Sequence, residues 1–411
     1  MGIEVSIIMN SYNKYPQNLL SLYALENQTF DLSKIEVIFV DDASTDETPL
    51  LKNYTPPYTF KYIRCEENVG RSKAKNMGIY ASQGDILIIL DAEMLVDPDF
   101  VKQHYDNHQS EDMLVITGCT NHHGIYTVVD CDMTKTELTK FAQLAKRNFN
   151  KLPRKTREML NRSILKSLNR FQYRNQQKFA IFSKNDIWNL KYKLLSFSDS
   201  DWSSEIVRTF GNDLNGFYGP WMFVITRNIS VRRSLFDAVG PFYEEFAGWG
   251  YEDWEFGYRI HKYGGEILED SNISVYHQEH AKIPSNIYKE ERANYLKFYT
   301  RHTSFEVGIF SLKYIDYMYG FNLFNINNLV QEFNILKREY LKESENFRSC
   351  YLQLFKQILK LSLAEKPVSQ LVQASGISSE QLASILSEKD FIKSVGKYQN
   401  LIRNFEFLLS K

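Results

Sequence analysis

The sequence has few cysteines, no long apolar run and almost no net charge, and each absence excludes a class of protein. Four cysteines in 411 residues, none in a C-x-x-C pair, argue against a disulfide scaffold or cysteine-rich zinc site and favour free thiols in a reducing compartment. No stretch of about 18 consecutive apolar residues occurs, so no membrane span is predicted. The apolar run Val5–Met9 is too short for a signal peptide and lacks a basic flank. We therefore expect a cytoplasmic protein, and peripheral association with the inner face of the plasma membrane stays open.

Charge and length limit the partners and the number of domains. The formal net charge is −1, which gives no indication of a polyanionic partner. No recognised nucleic-acid motif is present, so nucleic acid is not an expected partner. A chain of 411 residues exceeds one typical core and predicts a large domain with a smaller one.

The first hundred residues alternate apolar runs with helical segments. Runs rich in β-branched residues and bounded by polar turns predict four buried strands: Val5–Met9, Ile35–Val40, Phe60–Arg64 and Ile86–Leu90. Helices are predicted at Pro16–Gln28, Thr45–Lys52 and Gly70–Ser82. This order predicts an α/β fold with a mostly parallel, Rossmann-like sheet and flanking helices. Ligands bind at the carboxyl ends of such strands, where the polar segments Ser11-Tyr12-Asn13, Asp41-Asp42 and Asp91-Ala92-Glu93 stand.

Composition changes along the chain predict its organisation. Residues 130–199 hold sixteen Lys and Arg against six Asp and Glu, which fits either a solvated helical face or a basic rim for an anionic acceptor. Apolar residues at helical spacing predict helices at Asn325–Lys342, Glu345–Leu363 and Gln370–Leu386. We predict a domain at 1–315, with a nucleotide-binding half at 1–125, a basic helical insert at about 130–200 and a catalytic half at 215–280. A helical module at 316–411 follows, and self-association through it stays open.

Two acids at the end of the fourth predicted strand are candidate metal ligands. Asp91 and Glu93, one residue apart, can bind a hard cation, and such a cation can offset the charge of a departing diphosphate. His277 follows the predicted strand Ile273–Tyr276, and neutral imidazole is also a ligand for manganese-like metals. Acidic triplets are common on surfaces and single histidines are usually structural, so each signal alone leaves both interpretations open.

A second acidic cluster lies in the segment GWGYEDWE. Its glycines allow a tight backbone turn, and Glu252 and Asp253 precede a predicted helix, Trp254–Tyr263. The helix dipole favours acids at that position, but it does not explain the flanking Gly-Trp-Gly. A carboxylate here could act as a general base toward an acceptor hydroxyl.

A third segment, Gly70 to Gly78, places Arg71 on a short basic helix where it could face phosphates or a base.

Five segments in this order carry a resemblance to a known family: VSIIMNSYN, VIFVDDASTDET, ENVGRSKAKNMGIYASQGDILIILDAE, GWGYEDWEFGYRI and VYHQE. Together they resemble the GT-A glycosyltransferases of family 2, and especially bacterial capsule polymerases of the chondroitin-synthase type. The acidic Gly-Trp-Gly segment is also similar to that of galactosyltransferases and polypeptide N-acetylgalactosaminyltransferases. The resemblance covers roughly residues 3–125 and 215–280, and it implies a GT-A fold.

The resemblance also implies roles for single residues. Asp253, with Glu252 beside it, matches the catalytic base. The metal ligands would be Asp91, Glu93 and His277, and the cofactor Mn²⁺ or Mg²⁺. The usual D-x-D motif ends in Asp, whereas this chain has Glu93, whose carboxylate reaches farther. The residues implied in binding the nucleotide sugar are Ser11, Tyr12, Asn13, Asp41, Asp42, Arg71, Asp91, Ala92 and Trp249.

The implied function is metal-dependent, inverting transfer of a sugar from a UDP-sugar to a hydroxyl acceptor. A capsular or cell-wall glycan is the first candidate acceptor; protein or peptide, and lipid-linked or teichoic-acid-like acceptors, are alternatives. Ser11-Tyr12-Asn13-Lys14 lacks the Gly-rich basic loop typical of nucleotidyltransferases. A non-catalytic scaffold that binds sugar nucleotides is the alternative of another class.

Overall fold

The computed structural model describes residues 2–129, 133–159, 178–198, 202–280, 287–315, 322–368 and 371–411. The chain forms two compact units, the first of residues 1–215, 220–245 and 252–284, and the second of residues 216–219, 246–251 and 285–411. Part of the predicted basic insert, at 130–132, 160–177 and 199–200, lies outside the described residues. The domain limits drawn from the sequence stay a prediction.

The strands of the described residues all lie in the first unit. They are β1 Val5–Ser11, β2 Ile35–Asp41, β3 Thr59–Arg64, β4 Ile86–Leu90, β5 Met94–Val96, β6 Leu114–Thr117, β7 His122–Ile125, β8 Val128–Val129, β9 Phe179–Ala180, β10 Ser196–Ser198, β11 Asn228–Arg232, β12 Glu266–Glu269 and β13 Val275–Gln278. The four strands predicted in the first hundred residues are all present, and β1, β2 and β4 are buried almost throughout. The prediction that the third strand is buried is wrong, because β3 lies at the edge of the main sheet and is only partly buried.

The main sheet has seven strands in the order β12-β6-β11-β4-β1-β2-β3. Pairing is parallel between β1 and β2, β1 and β4, β2 and β3, and β6 and β12, whereas β11 runs antiparallel between β4 and β6. The helix Arg71–Tyr80 packs on β1 and β2. It approaches closely because Gly78 has no side chain: an added Cβ would lie 2.6 Å from a methyl of Ile8. The predicted α/β class with a mostly parallel sheet is confirmed.

A smaller four-stranded sheet, in the order β10-β7-β13-β5, brings distant segments to the end of β4. β5 follows the acidic triplet after β4, and it pairs antiparallel with β13. β13 in turn pairs in parallel with β7. This sheet therefore carries the segment around His277 to the acids at the carboxyl end of the main sheet.

Helices make up most of the remaining described structure. The α-helices are α1 Gln17–Leu25, α2 Arg71–Tyr80, α3 Phe100–Asn107, α4 Lys135–Arg147, α5 Arg154–Met159, α6 Lys184–Trp188, α7 Trp202–Phe210, α8 Arg233–Val239, α9 Glu252–Tyr263, α10 Ile287–Arg301, α11 Phe305–Gly308, α12 Leu323–Glu339, α13 Glu345–Leu363, α14 Leu371–Ala374, α15 Ser379–Val395 and α16 Gln399–Leu409. The 3₁₀ segments are Leu32–Lys34, Thr48–Asn53, Phe149–Lys151, Lys191–Leu195, Pro220–Phe223 and Ile309–Tyr314. In the described part of the chain, no helix is both long and apolar enough to cross a membrane.

The second unit is helical, as predicted for the C-terminal region, but one predicted helix is wrong. The stretch Gln370–Leu386 was expected to form one helix, and its first residue lies outside the described residues. The chain instead forms α14 and α15, with Gly376 between them at φ +77°. Ser378 then starts α15 with a capping box, in which its side chain accepts a hydrogen bond from the backbone of Gln381. The positive φ of Gly376 and the N-cap at Ser378 therefore break the stretch into two helices, although its apolar residues are spaced as in one helix.

Candidate active site

The acidic triplet stands at the carboxyl end of the central strand β4. Every residue of β4 is buried, and the backbone N–H of Met94 donates to the carbonyl of Asp91 over 3.1 Å, which closes a tight turn before β5. Ala92 packs in the hydrophobic core with no exposed surface. Its methyl group anchors the turn, so a contact between Ala92 and a donor would use its backbone. Glu93 is 9% exposed, and its backbone carbonyl accepts a hydrogen bond from Gln278 on β13.

Three side chains with metal-ligating atoms converge at this turn. One ligand atom from each of Glu93, His277 and His280 lies within 4.8 Å of the other two. Strand pairing produces the convergence: His277 is opposite Met94 in the β13–β5 pair, and the backbone N–H of Gln278 donates to the carbonyl of Glu93 at 3.1 Å. Residues more than 180 positions apart are thereby fixed around one point.

The donor set of this cluster fits a divalent metal. One carboxylate and two imidazoles suit Mn²⁺ and other transition ions better than Mg²⁺, which prefers oxygen ligands. The Nδ1 atom of His277 is 3.3 Å from a carboxylate oxygen of Glu279, which orients the ring in the manner of outer partners at metal sites. Of the predicted ligands, Glu93 and His277 are brought together, whereas Asp91 is not part of this three-residue group. Sequence reasoning missed His280, although the spacing His277-x-x-His280 was visible.

A lysine from the loop after β1 already supplies a positive charge to the cluster. Lys14 Nζ lies 3.0 Å from Glu93 Oε1 and 2.5 Å from His280 Nε2. Burial acts to raise the pKa of the Glu93 carboxyl, but the charge of Lys14 and the hydrogen bond from His280 outweigh burial and hold that pKa well below its usual value. Glu93 is therefore a carboxylate that attracts cations, and Lys14 already contacts one of its two oxygens.

The second acidic pair, Glu252 and Asp253, forms the first two residues of helix α9. Glu252 forms an ion pair with a lysine on α2, the helix that packs on the main sheet. Lys75, on α2, is 1% exposed, and its Nζ lies 3.1 Å from Glu252 Oε1. Burial acts to raise the pKa of Glu252, but the charges of Lys75 and Arg71 keep it below its usual value. The second oxygen, Glu252 Oε2, is buried and has no hydrogen-bond partner among the described residues. A buried carboxylate oxygen without a donor is costly, and a bound hydroxyl would satisfy it.

Asp253 has the protonation behaviour of a general base. Burial raises its pKa, and the adjacent charge of Glu252 raises it further, to about 7. The backbone N–H of Trp254 donates to Asp253 Oδ1 at 2.9 Å and limits the rise. A carboxylate whose pKa lies near neutrality is both substantially ionised at physiological pH and basic enough to accept a hydroxyl proton.

Arg71 links the two acidic groups. Burial acts to lower the pKa of its guanidinium, but the pKa is raised by the charges of Glu252, Asp91, Glu93 and Asp253. All four carboxylates therefore lie within electrostatic range of one cation at the end of the main sheet. The resemblance implied a role for Arg71 near the nucleotide base; in the structure its charge also interacts with the metal-ligand and catalytic candidates.

The paired acids at the end of β2 form hydrogen bonds within the protein. Asp41 accepts hydrogen bonds from Ser44 N at 2.8 Å and Tyr62 Oη at 2.5 Å, and it forms an ion pair with Arg64. Asp42 accepts from the backbone N–H groups of Val69 and Gly70 at 2.7 and 3.0 Å, just before α2. Both side chains are at most 4% exposed. They shape the loops at the sheet edge, and their predicted contacts with a donor stay a prediction.

Three residues predicted to bind the nucleotide sugar lie at the end of β1 and in the loop after it. One is exposed, and the other two form hydrogen bonds within the protein. Tyr12 is 46% exposed, so its ring is accessible to a ligand. Asn13 has φ +55°, and its side-chain oxygen accepts from the backbone N–H of Thr45 at 2.7 Å. Ser11 is buried and accepts a hydrogen bond from Asn18 at 3.2 Å. Asn13 thus joins the loops that follow β1 and β2.

Trp249 belongs to the second unit, so its proposed position over a donor sugar stays a prediction. It is 43% exposed, and its backbone N–H donates to Glu290 at 3.1 Å. Gly248 and Gly250 on either side have φ +77° and +99°, a conformation that side chains disfavour. The two glycines are therefore required by the backbone path around this exposed ring.

Two regions of the chain match known protein families. Residues 6–171 match the family described as glycosyl transferase family 2, and residues 211–282 match the family described as N-terminal domain of galactosyltransferase. Each match covers less than half of the chain, and over residues 6–171 the chain is similar to glycosyl transferase family 2. The resemblance inferred from the five sequence segments is confirmed.

Individual proteins are similar to this chain over part or most of its length. The chain is 29% identical to the uncharacterized glycosyltransferase YfnE of Bacillus subtilis (strain 168) over 69% of its own length and 66% of that protein. It is 25% identical to the hyaluronan synthase of Pasteurella multocida over 67% of its own length and 25% of that protein. The chain thus spans only part of these relatives. A solved structure of S. aureus TarS 1–349 in complex with UDP-GlcNAc is 15% identical, covering 98% of this chain and 91% of that chain, with a TM-score of 0.44.

Proposed function

We propose that this chain is a metal-dependent, inverting glycosyltransferase that transfers a sugar from a UDP-sugar to a hydroxyl of a capsular or cell-wall glycan. The observation that carries this proposal is the convergence of Asp91, Glu93, Glu252 and Asp253 within electrostatic range of Arg71. A donor diphosphate needs cationic neutralisation, and an acceptor hydroxyl needs a base. Such a group of residues can supply both at one edge of the sheet.

The proposed reaction is a single displacement. The acceptor hydroxyl oxygen attacks the anomeric carbon, the bond from that carbon to the β-phosphate oxygen breaks, and UDP departs with the electron pair. Asp253 receives the hydroxyl proton, and Glu252 Oε2 is available to accept a hydrogen bond from a sugar hydroxyl. Glu93, His277 and His280 would hold a divalent cation that, when bound, offsets the charge developing on the diphosphate. Attack from the face opposite UDP inverts the configuration.

Measuring UDP release from a series of donors tests the function. UDP-glucose, UDP-galactose, UDP-GlcNAc, UDP-GalNAc and UDP-glucuronate would be compared with Mn²⁺ present. We expect one donor to exceed the others by about tenfold, since a site built to hydrogen-bond one sugar rejects analogues strongly. Thermal stabilisation by UDP with Mn²⁺ but no turnover of any donor would favour the binding scaffold. Release of pyrophosphate would point to a nucleotidyltransferase.

Protein or peptide is the second acceptor class, and product analysis separates it from a glycan. With the preferred donor carrying a radiolabelled sugar, label in a protease-resistant polymer supports the glycan proposal. Label that becomes dialysable after protease treatment supports a protein acceptor.

The pKa of Asp253 predicts the pH dependence of transfer. Because this carboxyl must be ionised to accept a proton and its pKa in the free protein is about 7, kcat/KM should fall about tenfold per pH unit below that value and level off above it. The measurement is kcat/KM from pH 5.5 to 8.5 at saturating Mn²⁺, with bound Mn²⁺ determined at each pH so that loss of metal is not counted. A flat kcat/KM across this range would contradict the assignment of Asp253 as base.

A further inference from the structure

A basic cavity in the second unit is not used by the proposed transfer reaction. It has a volume of about 770 Å³ and lies between the start of α10, the end of the 3₁₀ segment Ile309–Tyr314, and the turn that follows α13. That volume is in the range of cavities that hold small ligands. None of the proposed donor, metal or base residues lines it.

Four cations and one carboxylate line the cavity: Lys289, Arg292, Lys366 and Lys411, with Glu365. Within the described ranges, none of the four cations has a carboxylate oxygen within 4 Å. The acid next to Arg292 in sequence is already used, because Glu291 pairs with Lys313 and accepts hydrogen bonds from Tyr314. Among the described residues that line the cavity, the four cationic side chains therefore outnumber the single carboxylate.

The positions of two of these cations are fixed by backbone contacts. Arg292 Nη1 donates to the carbonyl of Ser362 at 3.2 Å, which leaves its other N–H groups for a ligand. At the end of α13, Glu365 N donates to Ser362 O at 3.1 Å and Lys366 N donates to Leu361 O at 2.9 Å. Glu365 takes φ +54° in this turn, a left-handed conformation that non-glycine residues rarely adopt. This turn is the αL end of a helix, and it holds Lys366 at the cavity wall.

The aromatic lining suggests what kind of anion fits. Tyr288 is 71% exposed and lies on the cavity wall beside Lys289. An exposed aromatic face packs against the apolar face of a sugar ring, while guanidinium and ammonium groups bind carboxylate or phosphate. A cavity that combines both is suited to a sugar that carries an oxyanion rather than to a neutral sugar.

We propose that this cavity binds an anionic segment of the acceptor glycan, as a site separate from the one that performs transfer. The inference rests on the proposed function, because it assumes a glycan acceptor. The shared ligand chemistry is an oxyanion on a sugar chain, supplied either by the carboxylate of a uronic acid or by a phosphodiester. The site would hold the growing chain by charge between transfer events.

Binding of labelled oligosaccharides to the full chain tests this site. The probes are a fluorescent glucuronate–GlcNAc hexasaccharide, a glycerol-phosphate hexamer and neutral chitohexaose, followed by fluorescence anisotropy. At least one acidic probe should bind about tenfold more tightly than chitohexaose. The better acidic probe identifies the source of the oxyanion. Equal affinity for the three probes, or displacement of the acidic probe by UDP, would overturn the proposal.

Matched variants locate the binding. Arg292→Gln and Lys366→Gln should each lower the affinity for the acidic probe about five- to tenfold, because each removes a charged hydrogen bond. Lys337→Gln, an exposed lysine on α12 outside the cavity, makes the same charge change and should leave affinity within about twofold. Equal weakening by all three variants would mean non-specific attraction and would exclude the cavity.

Donor turnover separates failure of this site from failure of the proposed function. UDP release from the preferred donor without acceptor should be unchanged in the cavity variants, because their side chains are not in the proposed transfer site. If the parent protein releases no UDP from any donor, the proposed function fails. If UDP is released but the acidic probes show no preference, only the cavity assignment fails.

Discussion

Asp253→Asn is expected to reduce sugar transfer about a thousandfold while leaving UDP affinity nearly unchanged. Removal of a general base costs typically 10²–10⁴ in rate, and asparagine keeps the size of the side chain but cannot accept the proton. UDP affinity should persist because the proposed diphosphate contacts come from the Glu93 cluster and not from Asp253. Single-turnover transfer and UDP titration by calorimetry would measure both quantities. Parental transfer by the variant would remove Asp253 from the base position.

A folding control makes this result interpretable. The pKa of Asp253 is raised in the folded protein, so the native state favours the protonated form and loses stability as pH rises toward about 7. Asparagine removes that penalty, so the melting temperature of Asp253→Asn at pH 8 should equal or exceed that of the parent. Glu252→Gln is the contrasting variant: it leaves the buried Lys75 charge without its partner and should cost roughly 3–5 kcal/mol of stability. Loss of activity with unchanged stability is thus specific to the base.

Chelation of divalent metal is expected to suppress transfer at least about a hundredfold, because a metal ion contributes several kcal/mol of charge stabilisation. Addition of Mn²⁺ after EDTA should restore activity more fully than Mg²⁺, since two of the three clustered ligands are imidazoles. Mn²⁺ binding, followed by electron paramagnetic resonance, gives a readout independent of turnover. Full activity in EDTA would exclude the metal role of Glu93 and His277.

Variants of the cluster distinguish residues that would bind the metal from Lys14, which would compete with it. His277→Ala and His280→Ala should each weaken Mn²⁺ binding by about tenfold or more, the scale seen even for outer-sphere partners. Lys14→Met should maintain or strengthen Mn²⁺ binding, because the Lys14 ammonium contacts the Glu93 carboxylate and would repel a nearby cation. Unchanged Mn²⁺ binding in His280→Ala would remove it from the ligand set and leave the pair predicted from sequence.

Local sequence patterns predicted the elements of the fold well. Ile86–Leu90 and Glu345–Leu363 have the bounds predicted for them, and the first two strands extend one or two residues farther than expected. The predicted type and bounds of one helix were wrong: Thr45–Lys52 was predicted as a helix, but the chain forms the 3₁₀ segment Thr48–Asn53 there. Antiparallel insertion of β11 between β4 and β6 was not predicted, because strand order depends on pairing between distant segments.

The candidate site could be predicted only partly from the sequence. Acids after a buried strand and acids at the start of a helix can be located from contiguous residues, so Glu93 and Asp253 were predicted as a metal ligand and a general base. The contribution of Lys75 was invisible, because its partner Glu252 is 177 positions away. The internal hydrogen bonds of Asp42 were also invisible, although its position at the end of β2 was predicted.

The sequence by itself determined that buried strands alternate with helices and that acids and a histidine follow strand ends, since these features depend on spacing along the chain. Only the tertiary structure decided that His280 and Lys14 join Glu93, and that Lys75 neutralises Glu252 beside Asp253. The physical reason is that charge interactions and burial depend on distance in space. Pairing of β13 with β5 and the approach of α9 to α2 set those distances, and no local pattern encodes them.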